Sequence, residues 1–263
     1  MNRVSAYGTA LAAAVLLLAS APVTNAVAAT AGEIVDIQFS LCDAPAQVER
    51  ALDLRRKGSP VNVWLFDDAA LGLFARGLRL RLRETKRGAE LTLKAADQDC
   101  ASLPPEALPA GEGKCEYDQH GAKIAGALSL TRALDTRTAQ ALAAGREPLA
   151  GQLSGAQKHF LQGVPGAWPL PPDIRVLGPT RVVSYRTQGK RYAVDVSELP
   201  GGERFIEISR KVARTDSVSA HDQFVADLDM AGVAVCADQS AQAINKLRAL
   251  MASLPDRRNL PKN

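Results

Sequence analysis

The sequence contains no CxxC pair, no HExxH and no glycine-rich loop running into Gly-Lys-Ser/Thr. Each absence removes a chemistry. Cysteines without CxxC spacing do not read as a zinc site, and three scattered histidines, His120, His159 and His221, read as surface or capping residues rather than ligands. "SGAQK" and "GVPGAW" are not phosphate loops, and Ser197, Ser209 and Ser240 lack the setting of an activated nucleophile. Neither sign of charge dominates: 32 Lys and Arg against 28 Asp and Glu give a net charge of +4, too mild for a nucleic-acid binder. No internal repeat is evident, and no apolar run is long enough for a comfortable membrane span. Trp64 and Trp168 read as packing residues rather than stacking platforms.

What is present begins with "MNRVSAYGTALAAAVLLLASAPVTNAVAAT". Arg3, the apolar run from Leu11 to Leu18 and the triplet Ala26-Val27-Ala28 read as a signal peptide over residues 1–28, with no cysteine placed to accept a lipid. Cleavage removes Arg3 and no acid, leaving 31 basic residues against 28 acidic and a net charge of +3. The expected product, residues 29–263, is a periplasmic or secreted domain without a membrane span, with two halves joined through the Pro-rich crossover near 164–178. In an oxidising compartment Cys42, Cys100, Cys115 and Cys236 predict two disulfides. Three pairings are formally possible; Cys100 and Cys115 flank "ASLPPEALPAGEGK", which favours closing that loop and leaves Cys42 with Cys236.

Period-two patterns predict strands at 33–41, 60–66, 77–84 and 89–95, a further hairpin over 115–134, another over 180–199 turning at Gln188-Gly189, and a strand over 202–214. Helices follow Asp43, Asp135 and Ser154 as caps, a short turn covers 67–76, and two helices close the chain. Hairpins with one polar face predict an antiparallel α+β architecture.

The stretch "GLRLRLRETKRGAELTLKA" sets Leu78, Leu80 and Leu82 on one face and Arg79, Arg81 and Arg83 on the other. A turn centred on Arg87-Gly88 places Arg81 opposite Lys94 and Arg83 opposite Thr92, and the turn at Gln188-Gly189 places Arg186 near Arg191. Like charges so placed call for an anion or carboxylate between them. A sheet closed with these faces inward would be a basic tunnel suited to polyanions, whose phosphate oxygens guanidinium groups bind in pairs.

"WLFDDAALGLFARGLRLRLRETKRGAELTLK" resembles the core signature of CYTH domains, the triphosphate tunnel metalloenzyme superfamily. Phe66-Asp67 fall on its Phe-Asp pair, Gly77 on its glycine, Arg81 and Arg83 on its two arginines, and Lys94 on its strand-ending lysine. "QLSGAQKHFL" is similar to a helix in the middle of many members, so the resemblance spans residues 33 to about 250. It implies an eight-stranded antiparallel β-tunnel, a closed barrel with flanking helices, binding inorganic polyphosphate, tripolyphosphate or an organic triphosphate with divalent ions on carboxylates. The first strand departs from the family's Glu-x-Glu-x-Lys, offering Ile34, Asp36 and Gln38, and the late Glu-x-Glu becomes Glu207 and Ser209. As an enzyme the protein would use Mg²⁺ or Mn²⁺ on Asp36 and Glu207, with Arg81, Arg83, Lys94 and Arg186 as the phosphate clamp. As a binding module it would keep the clamp without the metal. As a structural or interaction protein it would carry the tunnel as a vestige.

Overall fold

The computed structural model describes residues 34–254, apart from Ala122 and the side chain of Lys190. The signal-peptide reading therefore lies outside the described residues. Apolar alternation builds the strands, and the helices between them bury residues such as Leu142, Leu161 and Phe224. In chain order these are β1 Ile34–Leu41, α1 Pro45–Ala51, β2 Arg55–Arg56, β3 Val61–Asp67, α2 Gly72–Ala75, β4 Leu78–Thr85, β5 Gly88–Gln98, β6 Gly113–His120 and β7 Lys123–Leu134. There follow α3 Thr136–Ala143, α4 Leu149–Gln152, α5 Gly155–Gly163, β8 Arg175–Arg186, β9 Ala193–Glu198, β10 Arg204–Ala213, α6 Ser217–Met230 and α7 Gln239–Ala252.

Nine strands pair in the order β8-β3-β4-β5-β7-β6-β1-β10-β9, and pairing of β8 with β9 closes the ring, with the two-residue β2 added beside β8. The α+β closed barrel with flanking helices is as expected. The strand count and the wholly antiparallel pairing are not. An odd number of strands cannot alternate direction around a closed ring, so at least one pair must be parallel, and here β1 runs parallel to β6.

Leu80, Leu82, Leu91, Leu93, Leu128, Leu130, Ile37 and Ile208 are fully buried, and they share one face of the sheet. That face is the outside of the barrel, where the helices cover it: Phe224 of α6 stacks on Tyr192 at 4.1 Å and meets Phe39 edge-on at 5.1 Å. The apolar core therefore lies between wall and helices, and the barrel interior is left to the polar parity.

Ser154 and Gln157 form a reciprocal capping box at the start of α5. Gln157 is completely buried, and its side-chain amide donates to the carbonyls of Leu91 and Leu130 at 2.9 Å each, fixing α5 to β5 and β7. Replacing it by alanine strands those groups in an apolar setting. Gln157→Ala should destabilise the fold by about 3 kcal/mol in urea denaturation; a change below about 1 kcal/mol would show that α5 docks by apolar contact alone. Asp43, expected as a helix cap, instead accepts a hydrogen bond from the Ala234 amide at 2.6 Å, while α1 begins with Pro45 and no side-chain cap.

Both disulfides have the pairing favoured from the sequence, Cys42 with Cys236 and Cys100 with Cys115. No helix among the described residues is long and apolar enough to cross a membrane.

Candidate functional site

The β4–β5 turn falls on Lys86-Arg87, not on Arg87-Gly88. Gly88 belongs to the strand because β7 passes close against it: a β carbon there would lie 2.2 Å from the Leu134 carbonyl oxygen. The register moves by one turn position and each pair of opposed residues changes. Arg79 faces Lys94, Arg81 faces Thr92, and Arg83 faces Glu90. One like-charged pair remains, Arg79 with Lys94, and it is relieved because Lys94 Nζ donates to Asp118 at 2.5 Å.

Following the register around the ring puts Arg79, Arg81, Arg83, Glu90 and Lys94 on the same parity as Asp118 and His120 of β6, Asp36 of β1, Glu207, Ser209 and Lys211 of β10, and Asp195 and Ser197 of β9. With the apolar parity outside, this set lines the lumen. Arg79, Arg81 and Glu207 keep accessible surface while the wall encloses them. Burial is nonetheless the leading influence on all three, lowering the pKa of both guanidinium groups and raising that of Glu207. Both conditions hold together for groups that line a water-accessible cavity.

Barrel strands tilt, so residues at one height are not simple register partners. The charges on these strands influence one another. Arg79 senses Glu207 and Asp118; Arg81 senses Arg83, Glu90, Glu207 and Asp195; Asp36 senses Lys211, Asp118 and Glu207. Lumen charge is thus sorted by side: a basic wall on β4 and β5, and an acidic wall on β6, β1, β10 and β9. Arg81, Arg83, Lys94, Asp36 and Glu207 all line this one cavity. Arg186 has the same inward parity, through the pairs Arg186–Ala193 and Ala193–Ser209, and stands at the end of β8 beside Arg55. Its expected neighbour Arg191 leaves the turn to pair with Asp227 of α6 at 2.7 Å.

Several lumen residues escaped the sequence reading, Asp118 and the following three among them. His120, read as a surface histidine, lies in the lumen among Asp118, Lys94, Arg79 and Asp36, with its pKa lowered chiefly by burial. Asp195 faces Glu207 directly across the β9–β10 ladder. Lys246 enters from α7, where Leu247 and Leu250 are buried, and donates to Ser197 Oγ at 2.8 Å. Leu247 and Leu250 pack with Leu71, Leu177 and Leu199, and with Leu65 and Phe205, all near one end of the barrel. Helix α7 therefore packs over that end of the barrel. A lysine on the flank of the apolar stripe Ile244, Leu247, Leu250 was the available signal.

Divalent ions of the Mg²⁺ type take oxygen donors in a tight group. Among the described residues, no three His, Cys, Asp or Glu side chains group closely enough to hold one. Asp36 has one buried oxygen without a hydrogen-bond partner, the single feature that invites a cation. The rest of the acidic wall is already answered by ammonium groups: Lys211 lies 3.9 Å from Asp36 and 2.7 Å from Glu116, and Lys94 holds Asp118. Asp36 and Glu207 also sit four residues apart by ladder position, since Asp36 pairs with Lys211 and Glu207 with Ser40. This donor set does not fit a metal centre shared by Asp36 and Glu207.

Burial raises the Glu207 carboxyl above the ordinary glutamate value of 4.5; the Lys246 ammonium opposes this and the facing Asp195 adds to it. A carboxyl whose pKa rises on folding stabilises the fold fully below its unfolded value, and that stability is lost as pH climbs through the raised one. Glu207→Gln removes the loss. The variant should match wild type near pH 4 and exceed it in urea midpoint at pH 8; an equal difference at both values would mean that Glu207 is not held in a depleted-solvent setting.

A closed β-barrel with its core outside and charge within defines a charged-tunnel protein, and the fold is that of the CYTH, or triphosphate tunnel, proteins. The Hippeastrum protein HpAC1, a candidate adenylyl cyclase with a dominant triphosphatase activity, superposes with a TM-score of 0.53 at 16% identity, over 82% of this chain and 96% of that one. A candidate adenylate cyclase from Bacillus halodurans superposes with a TM-score of 0.51 at 13% identity, over 80% of this chain and 98% of that one. No protein-family model matches the sequence, and no curated relative does.

Proposed function

We propose that the protein binds a linear phosphate anion in the barrel lumen: tripolyphosphate, the end of an inorganic polyphosphate, or an organic triphosphate. The observation that carries this reading is the basic wall, Arg79, Arg81 and Arg83 in one inward row with Lys94 across the ladder. Guanidinium forks match phosphate oxygens in pairs, and the enclosing wall strengthens each charge–charge contact relative to water. The triphosphatase activity of HpAC1, on the same fold, supports a triphosphate-type ligand.

Arg81 is the centre of the clamp. Lys94 contributes less, because Asp118 already engages it. Arg186, of the same parity at the end of β8, is the clamp's fourth basic group. Hydrolysis would need Mg²⁺ or Mn²⁺ on Asp36 and Glu207, and the donor set argues for binding without turnover. Two disulfides within the described chain, together with the leader-like first 28 residues, support work outside the cytoplasm, periplasmic or secreted.

Titration calorimetry with tripolyphosphate and with orthophosphate tests the reading. It expects tripolyphosphate to bind at least tenfold more tightly than orthophosphate, with affinity falling as salt rises. Equal, weak affinities for both anions would instead support a vestigial lumen and an outer surface that does the work.

A further inference from the structure

Sorting the lumen charges leaves one group whose purpose the anion reading does not explain. The basic wall is built on β4 and β5, yet Lys246 arrives on the opposite, acidic side. It comes from a helix whose neighbouring Leu247 and Leu250 are buried in the apolar cluster at the barrel end. Its ammonium donates to Ser197 Oγ on β9, one lumen position from Asp195, which in turn faces Glu207 on β10. Glu207 and Asp195 are like charges side by side, an arrangement that repels unless a cation is supplied. The strongest charge acting on Glu207 is the Lys246 ammonium, and Glu207 and then Asp195 oppose the burial that lowers the Lys246 pKa.

We propose that Lys246 is a built-in cation serving the Glu207–Asp195 pair, in the role a divalent metal would otherwise fill, so that the lumen accepts its anion without added metal. The same solution recurs along the acidic wall, where Lys211 serves Asp36 and Glu116, and Lys94 serves Asp118. Lys246 differs in being delivered by a separate helix. It can be removed without touching the strand ladder or the arginine row. Removing it leaves the two facing carboxylates without the cation that acts most strongly on Glu207, and two carboxylates are the minimum set that holds a hard divalent ion.

Mn²⁺ alone is the probe, followed by the electron paramagnetic resonance signal of the free ion, on disulfide-intact protein with no phosphate present. Wild type should show no Mn²⁺ site tighter than about 1 mM, and Lys246→Ala should gain one at least tenfold tighter, since a competing positive charge has gone. Lys246→Met, which keeps the side-chain volume, should gain the same site and guards against a folding defect in the alanine variant. Adding Glu207→Gln to either should abolish it, and Lys246→Arg should not create it. Equal Mn²⁺ affinity in wild type and both neutral variants would overturn the proposal.

A second arm compares tripolyphosphate affinity of wild type in EDTA and in Mg²⁺, where a difference of less than twofold is expected and a tenfold gain from Mg²⁺ contradicts it. No binding of the anion in either condition would overturn the function proposed above. The Mn²⁺ comparison would then still decide the role of Lys246, because it contains no phosphate.

Discussion

Arg81→Ala should lower affinity for tripolyphosphate about a hundredfold, the loss of roughly 3 kcal/mol from one bidentate, charge-assisted contact in an enclosed site. The expectation is specific to Arg81. Its ladder partner is Thr92, a neutral residue, whereas Arg83 faces Glu90 and Lys94 is bonded to Asp118. A cation already bonded to a carboxylate, as Lys94 is, must exchange that partner for the phosphate, and the net gain shrinks. Lys94→Ala should therefore cost less than about tenfold. Calorimetry on the two variants decides: equal losses in both would mean that the anion meets the wall as diffuse charge, and no loss at Arg81 would remove the clamp.

The second large effect lies in the covalent frame. Cys42 and Cys236 are 194 residues apart in sequence, and their bond ties the end of β1 to the segment between α6 and α7. It acts with a short ladder there, since the Cys42 amide donates to the Ala234 carbonyl at 3.1 Å and the Cys236 amide to the Ser40 carbonyl at 2.9 Å. Closing so long a loop restricts the unfolded chain by about 5 kcal/mol in the chain-entropy account, against about 3 kcal/mol for the 15-residue separation of Cys100 and Cys115. The paired substitution Cys42→Ala with Cys236→Ala should thus lower the urea unfolding free energy more than Cys100→Ala with Cys115→Ala. It should also loosen α7, and with it the position of Lys246. A smaller loss from the long-range pair than from the short one would show that α7 is held chiefly by its apolar packing.

Much of this was legible in the sequence, and what was not has physical causes. Strand faces could be read because period two needs only neighbouring residues: Leu78, Leu80 and Leu82 are buried as their alternation predicts. Register could not, because it hung on one turn, and the turn was fixed by a distant constraint, the close passage of Leu134 over Gly88. Closure carries the site and was the least visible feature. The parallel contact of β1 with β6 sets Asp36 beside Asp118, residues 82 positions apart that no local pattern connects. His120 went unread for the same reason, since its surroundings come from four different elements. Asp67 shows the converse. Its match to the family signature rests on neighbouring residues alone, and its place is at the start of α2, where it accepts hydrogen bonds from the amides of Asp68, Leu73 and Phe74.

The charged lumen as a receptor for a phosphate chain is tested most directly by melting the disulfide-intact protein in EDTA with and without tripolyphosphate. A ligand selective for the folded state adds about 2.7 kcal/mol at a hundredfold excess over its dissociation constant. In a chain of this size that is a rise of roughly 5–10 °C, and Arg81→Ala should lose most of it at the same ligand concentration. An unchanged melting temperature at millimolar tripolyphosphate, or an equal rise in wild type and Arg81→Ala, would contradict the account.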